Sequence, residues 1–205
     1  LRDQRSYSDF DLRHVINFNG VWDVPLGRGR KFGKNMNKFL DVLVGGWTLS
    51  NVFRWDSGYP FDGFYDGTGW QTNWNVRSYM TMLRKVKTGT YKTANGVNLF
   101  ADPAQAVTAW RTPHPGETGS RNAIRMPGTW NIDLGISKSF NMPYREGHKL
   151  TVKVEAFNLT NTPFFSDQSV VLLGYTGSSA PPNFGAFTSM ANQPRVMQFA
   201  VRYDF

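Results

Sequence analysis

A chain of 205 residues without cysteine excludes a disulfide scaffold and zinc–thiolate sites. Its net charge of +8 comes from scattered Lys and Arg, apart from Arg28-Gly29-Arg30-Lys31 and the stretch Arg84 to Lys92, both read as solvated turns rather than a nucleic-acid surface. Aromatics reach 15% while mean hydropathy is -0.43, and no run approaches the roughly 18 apolar residues of a transmembrane helix, a balance that suits a membrane barrel in which every second strand residue faces water or the lumen.

Period-2 alternation predicts five strands. The first covers about 12–24, with Leu12, His14, Ile16, Phe18, Trp22 and Val24 on one parity and Arg13, Asn17, Asn19 and Asp23 on the other. An intermediate connection, Pro25 to Gly46, follows. It holds the basic glycine turn and a short apolar stretch, Phe39 to Val44, of one or two helical turns. The second strand, about 47–59, sets Trp47, Leu49, Phe53, Trp55 and Tyr59 against Thr48, Ser50, Arg54 and Asp56.

A very long connection, 60–127, contains Asp102-Pro103, an N-cap and N1 proline that predict a helix over Ala104 to about Trp110. The third strand, 129–140, alternates Trp130, Ile132, Leu134, Ile136 and Phe140 with polar or small residues. Its one exception, Lys138, is expected to snorkel to an interface. A short turn, Asn141 to His148, leads to the fourth strand, 149–159, and a second long connection, 161–194, to the fifth, 195–205. There Phe199, Val201, Tyr203 and Phe205 alternate with Ala200, Arg202 and Asp204.

Each strand is about ten residues long or slightly more, the length of a tilted strand that crosses a bilayer. Trp22, Trp47, Tyr59, Trp130, Phe140, Tyr203 and Phe205 gather near strand ends, where interfacial girdles belong. Shorter and longer connections alternate. The expected fold is therefore all-β: a segment of an antiparallel up-and-down transmembrane β-barrel, with short periplasmic turns and long extracellular loops.

Few residues carry reaction chemistry. His14, His114 and His148 are far apart, and no metal-ligand or paired-carboxylate spacing occurs, so no catalytic residue, metal or cofactor is expected. Gly27 to Gly33 misses a dinucleotide fingerprint by one position and lacks a βαβ setting. Asp62-Gly63-Phe64-Tyr65-Asp66-Gly67 lacks the regular alternation of a calcium loop. The strongest ligand feature is the aromatic and amide cluster Trp70, Asn73, Trp74, Tyr79 and Trp110, whose rings could stack on sugars while the amides bond hydroxyls. Packing of those rings within the loop is the competing reading, and the commoner role of aromatics.

Several blocks together resemble the C-terminal end of the barrel in TonB-dependent receptors, most closely the Oar-like group with an N-terminal carboxypeptidase-regulatory-like domain. They are Ser8 to His14, Gly45-Gly46-Trp47, Phe53 to Pro60, Pro127 to Leu134, Glu155 to Asn161 and the terminal Phe205. The resemblance covers essentially the whole chain. It implies a barrel of about 22 strands with a plug, energised through the TonB complex, and it makes Phe199, Val201, Tyr203 and Phe205 the signal read by the outer-membrane assembly machinery. Five strands would leave two open edges in lipid, and Leu1 opens no signal peptide. The chain is therefore expected to be part of a longer protein, with the remaining barrel strands, plug and outer-membrane lipid as partners.

The function expected is non-enzymatic capture and import of an oligosaccharide, peptide or metal chelate at the bacterial outer membrane. The alternatives are a surface adhesin or filament whose copies pair through strand edges, and a soluble sandwich that binds glycans through its Trp-rich loop.

Overall fold

The computed structural model describes residues 5–62, 64–65, 78–115, 117, 119–144, 146–167, 170 and 182–205. In chain order the elements are β1 (Val15–Asp23), α1 (Lys38–Val44), β2 (Trp47–Asp56), β3 (Pro60–Phe61), β4 (Phe64–Tyr65), β5 (Ser78–Tyr79), β6 (Thr81–Met82), β7 (Tyr91–Thr93) and β8 (Gly96–Asn98). There follow α2 (Pro103–Val107), β9 (Trp110–Arg111), β10 (Ile124–Arg125), β11 (Thr129–Asn141), β12 (Lys149–Phe157) and β13 (Val196–Asp204). The chain divides into two compact units. One holds Ile16–Trp55, Trp130–Thr162 and Gln193–Phe205; the other holds Leu1–Val15, Asp56–Thr129 and Pro163–Asn192.

The first unit is a five-stranded antiparallel sheet in the order β1-β2-β11-β12-β13. Its pairings run from Leu134↔Ala156 to Asn141↔Lys149 and from Lys149↔Asp204 to Phe157↔Val196. Directly opposed residues share a face. Leu134, Ile136 and Phe140 therefore join Leu150, Val152, Val154, Phe199, Val201 and Tyr203 on one side. Among the described residues little covers that side in β13: Phe199 is 72% exposed and Val201 71%. On the opposite side the Ser139 and Thr151 hydroxyls bond at 2.9 Å, and Lys153 pairs with Glu155 at 2.7 Å. The sheet thus has an apolar face outside and a polar face opposite, the reverse of a soluble sandwich.

At the short-turn end, aromatics form a cluster. The Tyr203 hydroxyl lies 2.9 Å from that of Tyr144 and 2.6 Å from Nδ1 of His148, and the Tyr203 and Phe205 rings stack at 6.4 Å. Amphipathic rings with a polar tip suit a membrane interface.

The second unit has an inward core of Phe61, Met80, Leu99, Phe100, Ala109, Trp110, Ile124 and Phe184, among others. Phe100 stacks on Phe184 at 5.6 Å. Around this core lie two-stranded pairs: β3 with β10, β4 with β5, β6 with β9 and β7 with β8. The long connection is therefore not an open loop but has a core of its own.

The observed strands differ from the expected bounds where side chains intervene. β1 begins at Val15 rather than near Leu12, because the His14 N–H donates to Ser57 Oγ at 3.1 Å and its carbonyl accepts from Ser57 N at 3.0 Å. β2 stops at Asp56, whose carboxylate accepts the Gly58 N–H at 3.0 Å. Gly58 has φ +81, and a Cβ there would lie 2.0 Å from the Met126 carbonyl oxygen. β12 ends before Asn158, at φ 51, whose side chain donates to the Thr162 and Gln193 carbonyls.

Both helices start as expected. The Asn37 side chain accepts from Phe39 N, and Asp102 from Gln105 N at 2.9 Å with Pro103 next. The second ends at Val107 rather than near Trp110, since Trp110 enters β9 opposite Met82 and buries its ring. Burial of so large a ring outweighs the small propensity gain of one more helical turn. Lys138 also departs from expectation. It is buried rather than snorkelling, and donates to the carbonyls of Asp41, Val42 and Gly45 at the end of α1.

Candidate ligand-capture surface

The residues expected to bind a ligand belong to the hairpin β4–β5 and its neighbours. Phe64 pairs with Tyr79 and Tyr65 with Ser78, closing the hairpin at its base. Trp70, Asn73 and Trp74 fall in the connection between these strands and lie outside the described residues. Tyr79 is half-buried at the hairpin's foot. Trp110 is only 3% exposed and its ring is part of the core, so it packs the unit rather than offering a face to a ligand. Its indole N–H has no hydrogen-bond partner among the described residues.

Beside the hairpin lies a polar network that periodicity did not reveal. Asp62 follows β3 directly and is buried, and its carboxylate accepts the Asn122 N–H at 2.9 Å. Asn122 stands at φ 53, a left-handed conformation that asparagine tolerates better than most residues. That turn directs its side-chain amide to the Tyr7 carbonyl and to Asp9, each at 2.7 Å. Arg121 grips both Asp9 oxygens, at 2.9 and 3.0 Å. Arg125 bonds Asp11 and donates to the Gly58 carbonyl at 3.1 Å, while the Tyr7 ring lies 5.3 Å from the Arg13 guanidinium and 5.4 Å from that of Arg125. Residues 7–14 are thereby strapped to β10 and the residues flanking β3.

The electrostatics follow from this geometry. Burial pushes the Asp62 carboxyl up to about 6, the carboxylates of Asp9 and Asp167 adding to the rise, while the Asn122 N–H and Arg121 oppose it. Burial also raises the Tyr79 hydroxyl, with Asp62 as a second cause. The Asn122 amide, then Arg121, hold Asp9 below the usual carboxylate range. Farther along, Arg111 clamps Glu117 through two bonds of 2.6 and 2.7 Å, and with the His114 N–H it lowers that carboxyl to about 2. Among the described residues no group of three or more His, Asp or Glu side chains could hold a metal ion.

A cleft of about 500 Å³ lies between the β7–β8 hairpin, α2 and residues 182–184. Three of its polar side chains, Thr93, Asn98 and Asp102, are already engaged within the protein. Asp102 caps α2, and Asn98 donates to the Phe184 carbonyl and accepts from Phe100 N. These bonds brace the cleft walls.

The family model for the outer membrane beta barrel domain matches residues 1–198. The chain belongs to this family. Its outer-membrane barrel character accounts for the inverted sheet, whose apolar face meets lipid, and its place is the bacterial outer membrane. No protein of curated function and no solved structure matches the chain.

Proposed function

We propose that this barrel segment belongs to a TonB-dependent receptor that captures a nutrient at the cell surface and imports it. The observation that carries this reading is the folded state of the long connections. Residues 56–129 and 163–192 build a unit with its own core and polar network, and connecting segments positioned by a rigid scaffold carry binding function disproportionately. All of them leave from one end of the sheet, while the other end carries the turn 142–148 and the piece 24–46. In outer-membrane barrels the longer loops are extracellular.

Capture falls to Trp70, Asn73 and Trp74 with Tyr79, and oligosaccharides are the ligands best suited to indoles among amides. Substrate then passes inward as the plug moves. The edges of β1 and β13 pair with further strands of the same barrel, since bare edges are not viable in lipid. Phe199, Val201, Tyr203 and Phe205 are what the assembly machinery reads. None of the residues described is assigned a catalytic role.

A strain lacking this protein and one lacking TonB should show the same uptake defect on one member of a panel of oligosaccharides, peptides and metal chelates. Normal uptake of all of them without the protein would contradict import. The two open edges also favour a second reading, a surface filament of paired copies. It predicts concentration-dependent assembly of purified protein without lipid.

A further inference from the structure

The connection between β1 and β2 is built differently from an ordinary solvated turn. Helix α1, Lys38 to Val44, has no buried residue, yet Phe39, Leu40, Val42, Leu43 and Val44 are all apolar and all exposed, Phe39 to 83%. In water such a helix is a liability.

Three of its last four carbonyls, and that of Gly45, are nevertheless held by side chains from the apolar face of the sheet. Lys138 Nζ bonds the carbonyls of Asp41, Val42 and Gly45, and Trp47 Nε1 donates to the Leu43 carbonyl at 2.9 Å. The ammonium also lies 5.4 Å from the Trp47 ring centre and 5.2 Å from that of Phe140. Water would satisfy a helix end on a wet surface, whereas a hydrocarbon boundary favours protein donors for the carbonyls that face it.

The rest of the connection is ordered and basic. Asp41 accepts the Arg28 N–H at 2.6 Å, which ties the helix to the glycine turn. Arg28, Arg30, Lys31, Lys34 and Lys38 are exposed, and no acidic residue interrupts them before Asp41. Because Lys138 shares its face with Leu134, Ile136 and Val201, α1 continues the surface that meets lipid.

We propose that residues 25–46 form a membrane-interface anchor. Helix α1 lies at the headgroup–acyl boundary of the periplasmic leaflet, with Phe39, Leu40 and Leu43 among acyl chains and the five basic side chains on the phosphates of anionic phospholipids. This rests on the transmembrane reading of the sheet.

The 205 residues hold no cysteine, and any cysteine elsewhere in the full-length protein is first replaced by serine, so that single labels can be placed cleanly. An environment-sensitive fluorophore is attached at Leu43→Cys, Lys34→Cys or Val201→Cys in the full-length protein. Each is reconstituted in vesicles of phosphatidylcholine alone or mixed with phosphatidylglycerol, with brominated acyl chains as lipid quencher and iodide as aqueous quencher. The Leu43 label should be quenched several-fold more by brominated lipid than the Lys34 label, and more strongly when phosphatidylglycerol is present. Replacing Arg28, Arg30, Lys31, Lys34 and Lys38 by Gln in the Leu43-labelled protein should abolish the gain from phosphatidylglycerol. A Leu43 label as open to iodide as the Lys34 label, alongside a lipid-quenched Val201 label, overturns the anchor alone. A Val201 label that also meets only water overturns the transmembrane reading and the anchor with it. Equal quenching in both vesicle types, unchanged by the Gln substitutions, overturns recognition of anionic phosphate.

Discussion

The two units of this chain solve opposite problems with similar residues. The unit that holds the long connections turns its rings inward: Phe100 and Leu99 are fully buried, and Trp110 is core. The sheet unit turns Phe18, Phe199 and Val201 outward and keeps Lys153, Glu155 and Thr151 on the other face. Apolar side chains go wherever water is absent. For the connection unit that place is its own interior; for the sheet unit it is the lipid around it. The comparison shows why one mean hydropathy describes the chain poorly, since it averages a water-solvated body with one solvated by hydrocarbon.

The difference can be broken selectively. The largest effect is expected from Gly58→Ala, which combines a left-handed φ with a Cβ placed against the Met126 carbonyl. A loss on the order of 3 kcal/mol is expected in the connection unit. Limited proteolysis should cut within 60–127 while the heat-dependent gel mobility of the barrel stays normal. Equal loss of both would show that the units are one cooperative body.

Lys138→Met attacks the other unit. It suits the lipid face chemically but leaves carbonyls at the end of α1 without donors, at a cost of about 2 kcal/mol. Amide exchange across 38–46 should accelerate, with β12 and β13 unaffected. Unchanged exchange would mean that water caps the helix.

A smaller effect, confined to pH, is expected of Asp62. Its carboxyl is raised in the fold to about 6, so its contribution to stability is complete below the unfolded value near 3.8 and is lost as pH rises through about 6. Asp62→Asn keeps an oxygen for the Asn122 N–H and removes the buried charge. The connection unit should melt a few degrees higher near pH 7 and unchanged near pH 4. A variant less stable at both values would contradict the assignment.

Glu117→Gln should do least. Glu117 is held low by Arg111, so its contribution is present above the unfolded value of 4.5 and lost as pH falls through about 2. The substitution should speed exchange of the His114 amide at neutral pH and leave the rest of the unit unchanged.

The sheet was legible in the sequence because its cause is local. Alternation at Trp130, Ile132, Leu134 and Ile136 needs only the period of a strand and a face to bury. The strand ends were less legible, since His14 and Asp56 are diverted by Ser57 and Gly58, and β12 ends at the left-handed turn of Asn158. The polar network was not legible. Asp9, Asp62 and Asn122 are brought together from three distant stretches, and no period links them. The run Ser120-Arg121-Asn122 was a usable signal, an asparagine suited to a left-handed turn beside a charged neighbour. The burial of Trp110 agrees with the packing alternative, but its place was not legible, because a tryptophan in a polar-looking loop gives no local sign of the core beneath it. Lys138 was visible as an exception, but its partners lie in a helix more than ninety residues away.

The central claim is that the face bearing Phe199 and Val201 meets lipid. A nitroxide scan of β13 in reconstituted protein, one cysteine at a time from Met197 to Tyr203, tests it most directly. Collisions with oxygen should be high at Met197, Phe199, Val201 and Tyr203, and collisions with a water-soluble nickel chelate high at Gln198, Ala200 and Arg202, a clean period of two. Uniform access of the chelate along the strand, or the opposite phase, would contradict it.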